Sequence, residues 1–372
     1  MTVALRWLAA VTCAGMFAVL VMGAAVTNTG SAEGCGRSWP LCNGRFVPEF
    51  TVATAIEYSH RAVTGAEGLL VVALTASMLL LWRLERQAVV LALLMLGTLL
   101  LQAGLGAGAV LWPQSPLMLA THFGVSLVAF AATSLSAVLV YERTAVRPSP
   151  PERAPSPALR RWSIAVLAYV LVVVYLGAYV RHAGVSLACV DWPLCNGQVV
   201  PSLAGPTGVV FAHRLAAVGA VLLLAWLARL ASREGLGQSA AVAAAVLAVL
   251  QALSGALVVW TRLGLFSTLA HAGIMALLFA CLAAVVRVGR GPSSSADKPL
   301  SARVAVGRTP ADRLGLGARP PRFHGLLDVF GRAPRRVSLP RARPPTVEPD
   351  GTRAPPSAAR PAPRSAPRIP AR

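Results

Sequence analysis

Eight long apolar runs constrain the fold of this chain more than any other feature of its sequence. Each run is about 20 residues long, which is the length that an α-helix needs to cross the hydrocarbon core of a bilayer. The runs lie near residues 5–26, 62–82, 88–110, 119–141, 162–181, 208–231, 239–260 and 267–288. Hydrophobic residues make up 56% of the chain and charged residues only 13%, a balance that is rare in soluble domains. The sequence therefore predicts an all-α polytopic membrane protein with eight transmembrane helices.

The basic residues between these runs predict the orientation of the chain. They concentrate in the loops that follow every second run, and they are Arg83, Arg86, Arg143, Arg147, Arg153, Arg160, Arg161, Arg229, Arg233, Arg287 and Arg290. Loops rich in arginine and lysine remain on the cytoplasmic side of a membrane. We therefore expect a multi-pass protein of the cell (plasma) membrane with both termini in the cytoplasm.

A basic segment follows the last run, over residues 289–372. It contains 17 Lys/Arg against 5 Asp/Glu, so it carries +12 of the formal net charge of +20. It is rich in proline, alanine, arginine and serine and has no hydrophobic periodicity, which is typical of disorder. Its basic residues are not interleaved with the aromatic residues that stack on bases. We expect a disordered cytoplasmic tail with no nucleic-acid partner, while contact with anionic membrane lipid stays open.

A repeated phrase indicates that the chain is an internal duplication. GCGRSWPLCNG at 34–44 returns as ACVDWPLCNG at 188–197, and its proline and Asn-Gly pair predict a turn-rich loop. Aligning the halves on this phrase also aligns His60-Arg61 with His213-Arg214 and Leu101-Gln102 with Leu250-Gln251. The sequence predicts two tandem four-helix bundle repeats, at 1–141 and 162–288, joined by a cytoplasmic linker at 142–161. Both repeats enter the membrane from the same side.

Four histidines recur in the two halves at equivalent positions. They lie near the starts of the second, fourth, sixth and eighth runs, and they are His60, His122, His213 and His271. Since these runs all pass from outside to inside, the four imidazoles are expected at similar depth near the outer surface. A helical bundle can present two such rings to a planar metallomacrocycle, one above and one below. A lone histidine is more often an interfacial hydrogen-bonding residue, but a paired set of four favours ligation.

Other residues near these histidines leave alternatives open. Zinc is less attractive than a macrocycle, since no further ligand recurs in both halves at suitable spacing. Arg61 and Arg214 follow the first histidine of each pair, and they could bind haem propionates or serve as interfacial anchors.

The cysteines of the repeated phrase are predicted to lie outside the cell, where disulfides persist. We expect Cys35 to pair with Cys42 and Cys189 to pair with Cys195, so that each bridge closes its own loop. A structural staple is favoured for the second pair, and a redox-active dithiol stays open for the first. The remaining cysteines of the helices, Cys13 and Cys281, are expected to be inert packing residues.

Taken together, these motifs resemble the haem A synthases. The resemblance covers about residues 1–288 and rests on Glu57-Tyr58-Ser59-His60-Arg61, Thr121-His122, Phe211-Ala212-His213-Arg214, Ala270-His271 and the cysteine loops. It implies an eight-helix enzyme that oxidises a ring methyl group of haem O through a geminal diol to the formyl group of haem A, for cytochrome oxidase.

The resemblance also assigns roles to the two halves. It implies that His213 and His271 bind the iron of a haem b cofactor, and that His60 and His122 bind the iron of the substrate, haem O. Haem O synthase and cytochrome oxidase assembly factors are the partners that it suggests.

Glu57 distinguishes the two halves, because the equivalent residue in the second half is Val210. Glu57 shares a helix face with His60, and a carboxylate near a membrane is a candidate functional residue. We therefore expect Glu57 to be catalytic, although pairing with Arg61 is the plainer alternative. A dihaem electron-transfer cytochrome explains the histidines equally well but not Glu57, whereas a membrane thiol oxidoreductase explains only the cysteines.

Overall fold

The computed structural model describes residues 2–49, 51–112, 115–145 and 154–289. Within those ranges the chain forms eight α-helices: α1 Thr2–Asn28, α2 Val52–Trp82, α3 Arg86–Leu111, α4 Pro116–Arg143, α5 Pro157–His182, α6 Gly205–Glu234, α7 Gln238–Trp260 and α8 Leu265–Gly289. Each of these helices is long and apolar enough to cross a membrane. The predicted all-α fold with eight spans is therefore confirmed, and the chain is a multi-pass membrane protein.

Local sequence signals fix where several helices begin. The side chain of Ser115 accepts a hydrogen bond from the N–H of Met118 at 3.1 Å, and Pro116 occupies the first turn of α4. Ser156 and Pro157 repeat this arrangement at the start of α5. A serine N-cap followed by proline suits the first turn, where backbone N–H groups have no partner within the helix.

Helix α2 begins earlier than the apolar run predicts. It starts at Val52 after the N-cap Thr51 rather than near residue 62, because its first turns are too polar to count as part of an apolar run. His60 is therefore the ninth residue of α2, and His213 is likewise the ninth residue of α6. The histidines lie about two turns inside their helices rather than at the helix starts.

The helices of each half pack as a ring. In the first half α1 packs on α2, α2 on α3, α3 on α4, and α4 on α1; helices α5 to α8 repeat the pattern. The histidine-bearing helices α2 and α4 therefore lie at opposite corners of one ring, and α6 and α8 at opposite corners of the other. This arrangement is consistent with two tandem four-helix bundles.

Helices α1, α4, α5 and α8 join the two rings, and α4 is the most central of them. It packs on α5 and α8 as well as on its own half, and small buried residues such as Gly124, Ala129, Ala131 and Ala132 line it. Small residues let helix backbones approach closely in a membrane, where apolar lipid gives little hydrophobic drive for association.

Two predicted segments lie partly or wholly outside the described residues. Of the linker predicted at 142–161, α4 occupies the first residues and α5 begins at Pro157, while 146–153 lie outside the described ranges. The tail was predicted from 289, but Gly289 is the last residue of α8. Residues 290–372 lie outside the described part of the chain, so their predicted disorder stays a prediction.

Candidate functional site

Each cysteine loop is closed by its own disulfide, as predicted. Cys35 pairs with Cys42 and Cys189 with Cys195, with Cα–Cα distances of 4.4 and 4.6 Å. All four cysteines are at most 1% exposed. Thiol–disulfide exchange requires an attacking thiolate to reach a sulfur atom, so the burial of both bridges favours the structural staple for both loops.

The Asn-Gly pair of the repeated phrase forms the same turn in both loops. Asn43 and Gly44 have φ of 52° and 76°, and Asn196 and Gly197 have φ of 54° and 76°. Positive φ at both central residues is the type I′ turn that joins two antiparallel strands, and asparagine followed by glycine is its preferred sequence. In each loop the asparagine side chain also donates to the carbonyl before the first cysteine, at 3.2 and 2.9 Å. The duplication therefore extends to individual hydrogen bonds.

One loop carboxylate supports the second turn further. The Asp191 carboxylate accepts hydrogen bonds from the backbone N–H groups of Gly197 at 2.7 Å and Asn196 at 2.5 Å. These bonds, that of Gly197 above all, hold the pKa of Asp191 below its usual value. The charged form is therefore the one that stabilises the turn.

The arginine beside the first histidine of each half binds the adjacent loop. Arg61 donates to the carbonyl oxygens of Ser38 and Leu41 at 2.8 and 2.9 Å. Arg214 donates to the carbonyls of Leu194 and Cys189 at 2.7 and 3.2 Å. Both guanidinium groups thus connect a histidine-bearing helix to its cysteine loop. A guanidinium has five N–H donors, so donors remain for an anionic group.

Both carboxylate oxygens of Glu57 have partners within the protein. One carboxylate oxygen forms an ion pair with Arg61 at 2.6 Å, and the other accepts a hydrogen bond from the backbone N–H of Cys35 at 2.8 Å. Its side chain is only 5% exposed. Glu57 therefore ties helix α2 to the first disulfide, in addition to lying on the helix face that carries His60.

The residue equivalent to Glu57 supports the second loop by a different contact. Val210 is buried and packs in one apolar cluster with Cys189 and Cys195. The difference between Glu57 and Val210 therefore has a structural explanation, and the catalytic one that the sequence suggests stays a prediction. In both halves this position fastens the disulfide to the helix.

All four paired histidines lie against a glycine of the neighbouring helix. A Cβ added at Gly23 would lie 3.3 Å from the Cε1 atom of His60, and one at Gly106 would lie 3.6 Å from Cε1 of His122. In the second half the corresponding distances are 2.6 Å from Gly177 to His213 and 3.4 Å from Gly255 to His271. A Cβ has no room at Gly177 and would be tight at Gly23, whereas at Gly106 and Gly255 it would lie at ordinary contact distance from the imidazole.

The histidines of α4 and α8 differ in how their rings are held. The Ser254 hydroxyl lies 2.8 Å from Nδ1 of His271, and the Gln251 amide nitrogen lies 3.0 Å from its Nε2. In the first half Leu105 replaces Ser254, and Gln102 donates to Ser126 instead. Nδ1 of His122 has no hydrogen-bond partner within the described residues. Polar contacts with Ser254 and Gln251 therefore orient the ring of His271, whereas Nδ1 of His122 is not held in this way.

These residues fit a haem held between diagonal helices. Each half places two partly buried imidazoles on helices at opposite corners of a ring, each against a glycine of the neighbouring helix. Nδ1 of His60, His122 and His213 is buried without a hydrogen-bond partner in the described structure, so each of these nitrogens is available to bind another group. Paired axial nitrogens are what a low-spin haem iron requires.

Comparison with known proteins identifies the family. The COX15-CtaA family, described as cytochrome oxidase assembly protein, matches residues 47–283. The chain belongs to the COX15-CtaA family. It is 44% identical over 286 residues to a protein named Heme A synthase from Symbiobacterium thermophilum, covering 73% of this chain and 91% of that relative. Proteins of the same name from Halalkalibacterium halodurans (39% identical, 74% and 94% covered) and Bacillus licheniformis (41% identical, 76% and 95% covered) are also similar.

Several features of this COX15-CtaA member were not predicted from its sequence. The glycine opposite each histidine and the contact of Ser254 with His271 depend on which residues face each other across helices. Glu67, a second buried glutamate in α2, could have been found, because a lone acidic residue within an apolar run is a functional candidate by default.

The contact of Gly177 with His213 predicts a selective effect of a small substitution. We expect Gly177→Ala to lower the haem content of the purified protein by about tenfold or more, in the range of changes that misalign a metal ligand. Its added Cβ would lie 2.6 Å from Cε1 and 3.0 Å from Nε2 of His213, so the ring must move. Haem-to-protein ratio and the absorption spectrum are the measurements.

Gly65→Ala is the matched control, because a Cβ at Gly65 meets no atom within 4 Å. Alanine favours a helix interior over glycine by about 1 kcal/mol, so neither variant should unfold the protein. Equal haem content in the two variants would contradict the proposed role of the Gly177 contact.

Proposed function

We propose that this chain is a haem A synthase, which oxidises a ring methyl group of haem O to the formyl group of haem A. The identity of 37–44% to proteins of that name over most of the chain carries this proposal. The paired imidazoles on diagonal helices supply sites for two haems, one as substrate and one as resident cofactor. Haem A made in this way is destined for cytochrome oxidase.

We assign the resident haem, a haem b, to the second half, residues 162–288, where His213 and His271 would hold its iron. The contact of Ser254 with His271 supports this assignment. A ligating imidazole is usually held by a hydrogen bond to its other nitrogen, which fixes its orientation and tautomer. The Gln251 amide near Nε2 of His271 would give way to the iron. A resident haem of this kind supplies one-electron transfer.

We assign the substrate to the first half, residues 1–141, with His60 and His122 as ligands of haem O. A substrate must enter and leave, so a site without additional hydrogen bonds to its ligands suits exchange. The free donors of Arg61 and Arg214 lie at the outer end of each half and suit the propionates of the two haems. These arginines would then link each propionate edge to a cysteine loop.

We propose Glu57 as the acid–base residue of the substrate half. It lies about one helical turn before His60 in α2 and has no carboxylate counterpart in the second half. Its ion pair with Arg61 and its bond from Cys35 would keep it oriented. This carboxylate would accept a proton that leaves the substrate methyl group, or would stabilise positive charge that develops there.

The proposed orientation places the cysteine loops outside the plasma membrane and both termini in the cytoplasm. The excess of arginine in alternate loops supports it, and so do the two disulfides, which persist in oxidising compartments. Haem O reaches the first half within the membrane, so haem O synthase and cytochrome oxidase assembly factors are the proteins with which this enzyme would exchange substrate and product.

Co-expression with a haem O synthase in cells that lack haem A tests the proposed function. We expect extracted pigments to contain haem A only when both proteins are present, with haem O synthase alone as the control. A protein that binds haem but leaves haem O unchanged would instead be a dihaem electron-transfer cytochrome. A protein without haem whose disulfides cycle with a thiol partner would be a membrane thiol oxidoreductase.

A further inference from the structure

Glu67 is a buried acidic residue that the proposed reaction does not yet use. It lies in α2 and is only 3% exposed. Oε2 lies close to Gly15 of α1, so that a Cβ on Gly15 would be 2.0 Å from it. Oε1 is buried and has no hydrogen-bond partner within the described residues, and the ion pairs of that part of the chain do not include Glu67.

The second half fills the equivalent space in another way. The internal alignment pairs Gly15 with Tyr169 and Glu67 with Ala220. In the first half the small residue is on α1 and the large one on α2, whereas in the second half the large residue is on α5 and the small one on α6. Tyr169 lies over Gly219 and donates its hydroxyl proton to the carbonyl oxygen of Ala216 at 3.0 Å. The Tyr169 hydroxyl therefore has a hydrogen-bond partner within the second half, whereas Oε1 of Glu67 has none within the described residues. The difference is specific to the half assigned to the substrate.

Glu67 lies on the same contact between α1 and α2 as His60. His60 faces Gly23 and Glu67 faces Gly15, and the separation of seven positions from His60 to Glu67 in α2 corresponds to about 10 Å along the helix axis. Glu67 is thus about 10 Å deeper in the membrane than the histidine. An uncompensated charge at that depth is costly, which favours the neutral carboxylic acid, a form with both an O–H donor and a carbonyl acceptor.

The chemistry of haem O supplies a group for this acid. Haem O has its propionates on one edge of the macrocycle, and on the opposite edge a substituent that combines a hydroxyl group with an isoprenoid chain. With the propionates toward Arg61 at the outer end, the hydroxyl points toward the membrane interior, on the side of Glu67. An alcohol both donates and accepts a hydrogen bond, and a neutral carboxylic acid complements it.

We propose that Glu67 binds the hydroxyl group of the isoprenoid-bearing substituent of haem O. This inference rests on the proposed function, and it makes Glu67 a residue that distinguishes haem O from haem b. Haem b lacks that hydroxyl, so a site that leaves Glu67 unpaired would bind it less well. The half assigned to the resident haem does not have to recognise that hydroxyl, and there the side chain of Tyr169 fills the equivalent space.

Binding titrations with two haems test this proposal. The full-length protein, with its resident haem in place, is titrated with haem O and separately with haem b, and binding is followed by absorption. We expect Glu67→Leu to weaken haem O binding about tenfold, the effect of one unpaired buried hydroxyl, and to leave haem b binding unchanged. Glu67→Gln keeps a donor and an acceptor and should retain most of the affinity for haem O.

Thr75→Val is the matched control, since Thr75 is also buried in α2 and its hydroxyl has no partner in the described structure. It should leave both affinities unchanged. Infrared difference spectra provide a second measurement: haem O, but not haem b, should shift the carboxylic acid C=O band of the wild type, and Glu67→Gln should lack that band.

The outcomes separate this inference from the proposed function. Equal loss of affinity for haem O and haem b in Glu67→Leu would show that Glu67 only supports the fold, and no loss for either would also overturn the inference. In both cases a wild-type protein that still converts haem O leaves the proposed function intact. A wild-type protein that neither binds nor converts haem O would overturn both.

Discussion

Replacing His213 or His271 with leucine is expected to remove the proposed resident haem from the protein. Each histidine supplies one of the proposed axial nitrogens, and loss of a residue that merely orients a metal ligand already costs about 10- to 100-fold in affinity. We expect loss of the ligand itself to weaken haem binding by more than about a hundredfold. The haem-to-protein ratio and the low-spin absorption bands of the purified protein measure this effect.

His182 provides the matched control for these variants. It lies at the end of α5, and its counterpart in the first half is Asn28, so it has no partner histidine in the duplication. His182→Leu should keep the resident haem. His60→Leu and His122→Leu should also keep it but lose binding of added haem O. If His60→Leu or His122→Leu lost the resident haem and the second-half variants retained it, the roles of the two halves would be reversed.

Glu57→Gln is expected to lower haem A production by about a hundredfold to ten-thousandfold, the usual contribution of general acid–base catalysis. Glutamine keeps the shape of the side chain and can still accept the hydrogen bond from the N–H of Cys35, but it loses the negative charge. The variant should bind haem O, retain haem b and accumulate substrate or a hydroxylated intermediate. Pigment analysis of co-expressing cells and haem content of the purified protein measure the two properties.

Glu49→Gln is the control for charge in the outer layer. Glu49 pairs with Arg45 in an ion pair that is largely exposed, and such pairs contribute little, so this variant should make haem A normally. Haem A production at the wild-type rate in Glu57→Gln would restrict Glu57 to holding Arg61 and the first cysteine loop. Simultaneous loss of haem b in Glu57→Gln would show that the contacts of Glu57 support both halves.

The catalytic and structural roles considered for Glu57 illustrate the limit of a sequence comparison between the halves. The sequence showed that Glu57 has no acidic counterpart, and a catalytic role was the direct interpretation. In the structure both carboxylate oxygens have protein partners, and Val210 packs on the second disulfide where Glu57 hydrogen-bonds the first. Contacts between a helix and a loop some twenty residues away are set by packing, so alignment of the halves could not show them.

The sequence by itself determined the eight helices, the local pairing of the cysteines and the internal alignment that picks out four histidines. These properties follow from local rules: a membrane requires about 20 apolar residues for each helix, and a short loop brings its own cysteines together. Helix starts were less well predicted, because the polar first turns of α2 are held by the Thr51 cap rather than by hydrophobicity.

Only the tertiary structure decided which residues face each other across helices. It placed a glycine against each histidine, Ser254 against His271, and Glu67 against Gly15. It also assigned Arg61 and Arg214 to the carbonyls of the cysteine loops. In a membrane the apolar surface of a helix does not by itself select a partner, because lipid is as apolar as protein. The rotation and depth of each helix depend on close packing of small residues, which is a property of the assembled bundle.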